Sequence, residues 1–430
     1  MMKMKKDKKP FGRLVAKFGG SSLADGTAIS RAANSVIKKA EQGVQIAVVV
    51  SAMGKTPDHL IDTAKTVCGE EIPNDELDDI IAMGERTSAR IFSASLRAHG
   101  WESRYMDPVD PDWPIITDDA HLNAKPILPV CERLIKRHVQ PLLEKGVIVV
   151  VPGFIGKTEH GKITTLGRGG SDITAMILAQ ALAADQVVLV TDVEGIMTAD
   201  PKIIKKPLKI KEISMDALVG LADSGTKFIH KKALRYKNPE MDVKVISNSA
   251  GSLDAEGTII RGSFPKSIFV DPYSGSAMAI TIVGKAVSES MQTLAEILRE
   301  INKAKAPLLG MSINHNSLVL YLPVKAGETL LELIHSIVVR HRSTLAMGVR
   351  KNLAFMRVKG IGLEETPGVI SSITKALNSA NINIYGAFTI TSSVVVFVDL
   401  KNRKKAIQLI EEAVAINNNS ELKSQLGGKT

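Results

Sequence analysis

TTLGRGGSDITA, Thr164 to Ala175, packs three glycines, one arginine, one aspartate and four hydroxyl side chains into twelve residues. The apolar-periodic AMILAQALAA follows from Ala175. A glycine-rich turn handing over to a helix presents backbone N–H groups at the helix N-terminus, where negative charge is favoured. Ser171 or Asp172 is expected to cap that helix. Arg168 stands beside the glycines, and a guanidinium there suits a bidentate grip on a carboxylate or phosphate. The plainer alternative is a structural turn with Asp172 as its cap.

The flanks of this stretch decide the fold. GVIVVVPGF (146–154) precedes it and DQVVLVTDVEG (185–195) follows. LVAKFGG (14–20) and IAVVVSAMG (46–54) have the same character: Val- and Ile-rich runs without polar alternation, ending in a glycine turn. Such runs read as strands buried on both faces. Helical patterns such as ISRAANSVIKKAEQG and DELDDIIAMGERTSARIFSASLRAHG lie between them. The expectation is an α/β domain with a mostly parallel central sheet flanked by helices.

After about residue 266 the pattern changes to two units of strand, helix, strand, strand, helix, a divergent β-α-β-β-α repeat of ferredoxin-like character. The second unit lacks a final strand, and SIFVDP (267–272) or a neighbouring subunit is expected to fill that edge, because an open edge is a liability. The expected divisions are a basic tail (1–12), the α/β domain (13–266), two small units (267–350 and 351–416) and a polar tail (417–430).

Composition narrows the function. The 430 residues are 44% hydrophobic, 23% charged and only 4% aromatic, with net charge +10. So few aromatics disfavour stacking platforms for nucleic acid. Five of the lysines sit in MMKMKKDKK at the start, read as a solvated tail. Cys68 and Cys131, the two cysteines, make neither a disulfide framework nor a structural zinc site. No apolar run reaches the roughly 18–20 residues of a membrane span. A cytoplasmic setting without nucleic-acid or membrane partners is expected.

Four glycine turns follow four strands, and in open α/β sheets such turns converge at the carboxyl ends. They are KFGGSS (17–22), SAMGKT (51–56), the stretch quoted first, and TDVEGIMTADPK (191–202). Gly19 and Gly20 let backbone N–H groups approach an anion, and Lys17 adds a point charge. Ser51 and Thr56 add hydroxyls. Neither Gly54–Thr56 nor Gly156–Thr158 is a P-loop, because Val49 and Val151 occupy the places that motif gives to glycine. GER (84–86), taken alone, reads as a solvated surface pair. The histidines and cysteines read as structural.

In order along the chain, VAKFGGSS, VVVSAMGKTPD, MGERTSA, IITDDAHLNA, VVVPGFIGKTEHGKITTLGRGGSDITA, LVTDVEGIMTADPK and GTKFIH resemble the aspartate kinases of the amino-acid kinase superfamily, with two ACT-like regulatory units behind them. The resemblance implies phosphoryl transfer from MgATP to the β-carboxylate of L-aspartate, the first step toward lysine, threonine and methionine. It implies that Arg168 clamps the α-carboxylate and Glu85 meets the ammonium, with Ser51, Thr56, Gly169 and Ser171 orienting the substrate. It implies that Lys17, Gly19 and Gly20 neutralise the transferred phosphoryl group, with Asp172 orienting Lys17. Lys17, Ser21, Thr191, Asp192, Met197, Lys202 and Lys227 would line the nucleotide, and Mg²⁺ would sit mainly on ATP oxygens and water rather than on protein ligands. A carboxylate of pKa near 3.9 is already nucleophilic at pH 7, so no general base is required.

The chain departs from the family at Met197, Met215, Ala217, Gly220 and Lys231, on the nucleotide side. The ACT-like pair implies feedback by a small amino acid, lysine or threonine, and a homodimer or higher homo-oligomer. ETPGVISS (365–372) offers a Pro-Gly turn at a helix start; the first unit reads GKAVSES there. The rivals are a sister kinase acting on acetylglutamate, carbamate or UMP, an idle amino-acid sensor, and a nucleic-acid binder resting on the basic tail alone.

Overall fold

The structure, a computed structural model, describes residues 12–69, 72–200, 202–223, 231–263, 268–360, 363, 368–390 and 392–426. The chain divides into two compact units at 266/267.

The first unit contains strands β1 (Arg13–Phe18), β2 (Gln45–Val50), β3 (Ser103–Tyr105), β4 (Ile116–Thr117), β5 (Ile148–Pro152), β6 (Ile155–Thr158), β7 (Ile163–Thr165), β8 (Gln186–Thr191), β9 (Glu212–Ser214), β10 (Asp242–Ser247) and β11 (Thr258–Arg261). Its helices are α1 (Gly26–Ala40), α2 (Thr56–Cys68), α3 (Asn74–Ala98), α4 (Leu128–Leu134), α5 (Gln140–Glu144), α6 (Gly170–Ala181), α7 (Met215–Asp223) and α8 (Lys231–Leu234). Among the described residues the main sheet runs β3-β5-β2-β1-β8-β10-β11-β9. β3 through β10 are parallel, and β11 runs against β10. β4, β6 and β7 form a small separate sheet. The strand order turns at β1, with β2 on one side and β8 on the other, and ligands of open α/β sheets bind at such a switch point.

Strand alternation sorts the side chains between two helical layers. Leu14, Ala16 and Phe18 of β1 pack with Ile29 and Val36 of α1 and Phe92 of α3. Lys17, out of phase with them, lies on the opposite face, where α6 covers the sheet. α6 is buried almost all round, from Gly170 to Ala179 without interruption, as a helix must be to follow an apolar run that has no polar stripe. Each Val or Ile buried in the central strands contributes roughly 1.5–3 kcal/mol.

The second unit contains β12 (Phe269–Pro272), β13 (Ala277–Gly284), α9 (Met291–Lys303), β14 (Gly310–Asn314), β15 (Ser317–Pro323), α10 (Glu328–Arg340), β16 (Thr344–Lys359), α11 (Val369–Ser379), β17 (Ile384–Thr389), β18 (Ser393–Asp399) and α12 (Arg403–Leu426). Its antiparallel sheet has the order β14-β15-β13-β16-β18-β17, with β12 on β16. The expected edge-filler is in place: β12 pairs from Phe269 with Lys359 to Pro272 with Met356. The strand expected to open the second repeat starts earlier than the sequence pattern indicates. β16 is one sixteen-residue strand whose first half pairs with β13 and whose second half pairs with β18 and β12. Asn352, with φ 62°, marks the change between the halves. α11 starts behind Gly368 at φ 85°, while Glu365–Pro367 of the expected Pro-Gly turn lie outside the described residues. In the first unit GKAVSES carries Ala286 at φ 55° and a short 3-10 turn before α9. α12 continues past 416 to Leu426.

Candidate active site

The turn after β7 becomes a helix in a way that corrects the capping expectation. Gly169 is the N-cap residue, in the left-handed region at φ 78°, and no side chain caps the helix. Its carbonyl accepts from the N–H groups of Asp172 and Ile173, both at 3.0 Å. The helix therefore starts at Gly170, before Ser171 and Asp172, and both side chains are free for other partners. Asp172 Oδ1 lies 2.6 Å from Lys17 Nζ, both side chains largely buried. Ser51 Oγ, following β2, donates to Ser171 Oγ at 3.0 Å.

The surface reading of GER is overturned. Glu85 on α3 is only 4% exposed. Its Oε1 accepts from the Ala52 N–H at 3.1 Å, and its Oε2 is buried with no hydrogen-bond partner among the described residues. Burial pushes the Glu85 carboxyl up to about 7. Arg86 turns the other way, to Asp107 Oδ1 at 3.1 Å. Gly84 explains the close approach of α3 to the turn after β2. A Cβ at Gly84 would stand 2.8 Å from Ala52 Cβ, and only glycine lets the Ala52 amide come within reach of Glu85.

These groups meet in one cavity of about 270 Å³, lined by Lys17, Ser51, Pro57, Glu85, Phe154, Gly167, Arg168, Gly169, Gly170, Ser171 and Asp172. Arg168 is exposed at its mouth. The cavity thus offers the guanidinium of Arg168, the Lys17–Asp172 pair, and one buried carboxyl group with an oxygen that has no partner among the described residues. Such a set suits a small zwitterion with an extra anionic group.

The sequence of the chain matches the amino acid kinase family over residues 12–247 and an ACT domain over residues 348–412. It is 31% identical over 415 residues to the aspartokinase of Geobacillus stearothermophilus, covering 94% of this chain and 98% of that protein. The chain belongs to the aspartokinase family. The crystal structure of aspartate kinase from Synechocystis superposes with a TM-score of 0.78 at 25% identity, over 94% of this chain and 69% of that one. Escherichia coli aspartokinase III in complex with aspartate and ADP shares the fold at a TM-score of 0.54 and 23% identity, over 93% of this chain and 99% of that one.

Within this aspartokinase-family unit the expected residues fall into two groups. Lys17, Ser51, Glu85, Arg168, Gly169, Ser171 and Asp172 all line the cavity. Thr56 does not; its hydroxyl donates to the Met53 carbonyl at 2.6 Å and starts α2, leaving Pro57 to face the cavity. Gly19 adjoins Lys17, but its N–H is already donated to the Val190 carbonyl at 3.1 Å. That takes the Gly19 amide away from the anion-binding role expected of it. Gly20 and Ser21 open a 3-10 turn whose first N–H groups have no acceptor inside it.

On the nucleotide side, Thr191 ends β8 next to β1 and donates to Asp192 Oδ1 at 3.1 Å. Met197 bridges to Lys209 in the hairpin that follows, and Lys202 is exposed with its N–H on Asp200 Oδ1 at 2.8 Å. None of these four lines the cavity. Lys227 and the GTKFIH segment lie outside the described residues.

Sequence reasoning missed Phe154. It follows β5 in the left-handed region at φ 69° and lines the cavity beside Gly170. A Cβ at Gly153 would stand 2.7 Å from Ser171 Cβ, so the Gly153–Phe154 pair seats the first turn of α6. The signal was present as GF before IG, but nothing in a sequence marks a phenylalanine at positive φ.

Proposed function

We propose that the chain phosphorylates the β-carboxylate of L-aspartate with MgATP, giving 4-phospho-L-aspartate and ADP. The observation that carries this reading is the unpaired, buried Oε2 of Glu85 in the same cavity as the exposed Arg168 and the Lys17–Asp172 pair. Arg168 takes the α-carboxylate in a bidentate grip, and Glu85 takes the ammonium. The β-carboxylate is left pointing toward Lys17. A carboxylate oxygen attacks the γ-phosphorus, the bond to the β,γ-bridging oxygen breaks, and ADP leaves with that electron pair. No proton moves in this step, because the nucleophile is ionised at neutral pH.

Lys17 and the amides of Gly20 and Ser21 offset the charge that spreads over the phosphoryl oxygens, and Asp172 holds the ammonium of Lys17 in place. Thr191, Asp192, Met197, Lys202 and Lys227 bind the nucleotide. Mg²⁺ arrives on the nucleotide, held mainly by its oxygens and by water. That ion supplies further charge neutralisation. Feedback by a small amino acid, lysine or threonine, acts at a homo-oligomeric contact of the ACT units. Among the described residues no helix is long and apolar enough to cross a membrane. The free thiols of Cys68 and Cys131 suit the reducing setting of the cytoplasm.

Hydroxylamine trapping tests the product directly. Incubation of the protein with MgATP and L-aspartate should yield aspartyl hydroxamate, and Arg168→Ala should raise the KM for aspartate by about 10–100-fold. ADP formation without a trappable acyl phosphate would exclude this reaction.

A further inference from the structure

The motif IITDDAHLNA is used by none of the steps above, yet it surrounds an unusual buried group. Asp78, on α3 two helical turns before Glu85, is completely inaccessible to solvent. Three residues from two segments converge on its carboxylate. His121 Nδ1 lies 2.7 Å from Oδ2. The Leu122 N–H donates to both oxygens, at 3.1 and 3.2 Å. Thr165 Oγ1, at the end of β7, donates to Oδ1 at 2.5 Å. Among the described residues no lysine or arginine joins these partners; neutral and imidazole donors satisfy a fully buried acid.

Leu122 itself is strained, with φ 64° in the left-handed region that a branched residue rarely occupies. Strain of this kind persists where the surroundings over-determine it, and it gathers at functional sites. The held loop is the seat of the arginine turn. Ala124 N–H donates to the Thr165 carbonyl at 2.9 Å. A Cβ at Gly167, one residue before Arg168, would lie 2.9 Å from Asn123 Oδ1 and 3.1 Å from the Leu122 carbonyl. The backbone leading into Arg168 is therefore pressed against Leu122, which Asp78 fixes, and against its neighbour Asn123, whose Oδ1 accepts from Lys232 Nζ at 2.5 Å.

We propose that Asp78 is a positioning residue for substrate binding, setting the Gly167–Arg168 turn through His121, Leu122 and Thr165 so that one helix, α3, both supplies Glu85 and fixes the arginine opposite it. The inference rests on the reading that Arg168 clamps aspartate. It assigns IITDDAHLNA a part in aspartate affinity rather than in phosphoryl transfer.

The test is a double-mutant cycle on the full chain, with steady-state kinetics in both L-aspartate and MgATP. Asp78→Asn removes one acceptor oxygen, and Thr165→Val removes one donor while keeping shape. Each should raise the KM for aspartate by about tenfold, with kcat and the KM for ATP within about twofold, because an interaction made equally in ground and transition states moves KM alone. In an Arg168→Ala background either change should add less than about twofold, since residues acting through one another are not additive. A general packing role would instead lower kcat and multiply with Arg168→Ala, and that result overturns the proposal. So does a folded Asp78→Asn protein with unchanged aspartate KM. Should Asp78→Asn not fold, Thr165→Val decides by the same criteria. Arg168→Ala with an unchanged aspartate KM would refute the clamp itself, whereas a large Arg168→Ala effect with silent Asp78 and Thr165 variants would refute only the positioning role.

Discussion

Lys17 Nζ stands 2.6 Å from Asp172 Oδ1, joining the end of β1 to the first turn of α6 across the floor of the cavity. Strand alternation turns Lys17 to the face that α6 covers, and the glycine cap places Asp172 opposite it. Neither group needs to exchange a proton in the proposed reaction. Asp172→Asn should therefore act on kcat, lowering it by about 10²–10³-fold, as losing a preorganised electrostatic group does, with aspartate KM changed far less. Unchanged kcat in a correctly folded variant would remove Asp172 from the phosphoryl-transfer machinery.

Glu85 sets a pH dependence. Burial raises its carboxyl from 4.5 in the unfolded chain to about 7 in the folded one. Between those values the folded state holds a proton that the unfolded state has lost. This contribution to stability is fully present below about 4.5 and is lost as pH rises through about 7. Glu85→Gln removes that loss, so its melting temperature should exceed the parent's at pH 8 and converge with it at pH 4.5. The same substitution should raise aspartate KM at pH 8, where the ionised carboxylate attracts the ammonium. Thermal melts and kinetics at the two pH values check both signs. A melting difference independent of pH would show that Glu85 carries no such burden.

Gly153 tests the seating of α6. A methyl group there would lie 2.7 Å from Ser171 Cβ and 2.9 Å from its Cα, atoms that cannot rotate away. Gly153→Ala should cost roughly 1–3 kcal/mol in chemical denaturation and displace the first turn of α6 that carries Asp172. Activity should fall more than stability alone explains. A neutral outcome in both would mean the helix start can shift without consequence.

In the second unit, Val270 of β12 is 7% exposed within the core formed by β16, β18, α11 and α12. Val270→Asp buries a charge without a partner and should destabilise this unit by more than about 3 kcal/mol. Hydrogen exchange of the β16 segment 353–359 is the readout. Full protection in the variant would contradict the role of β12 as the closing edge strand.

Much of the fold was legible because buried parallel strands leave an unmistakable record: runs such as IAVVV and VIVVV admit little else. The cavity was legible where motif residues sit at strand ends, as Lys17 and Ser51 do. What stayed hidden depends on distant approach. Asp78 reads as one more acid on a helical surface, and only the arrival of His121, 43 residues away, makes it a buried hub. Glu85 looks like half of a surface pair until Gly84 lets the turn after β2 close over it. The helix start at Gly170 was misjudged because serine and aspartate favour caps, and a left-handed glycine performs that turn without a side chain. The division near 350 was placed inside β16 because strand patterns do not reveal when one strand serves two repeats.

The central claim is that this cavity phosphorylates aspartate. The most direct measurement is ADP release by the purified chain with MgATP, with and without L-aspartate, repeated with Asp172→Ala. Turnover should require aspartate and collapse in the variant. Turnover with acetylglutamate, carbamate or UMP in place of aspartate, or amino-acid binding without any turnover, would contradict it.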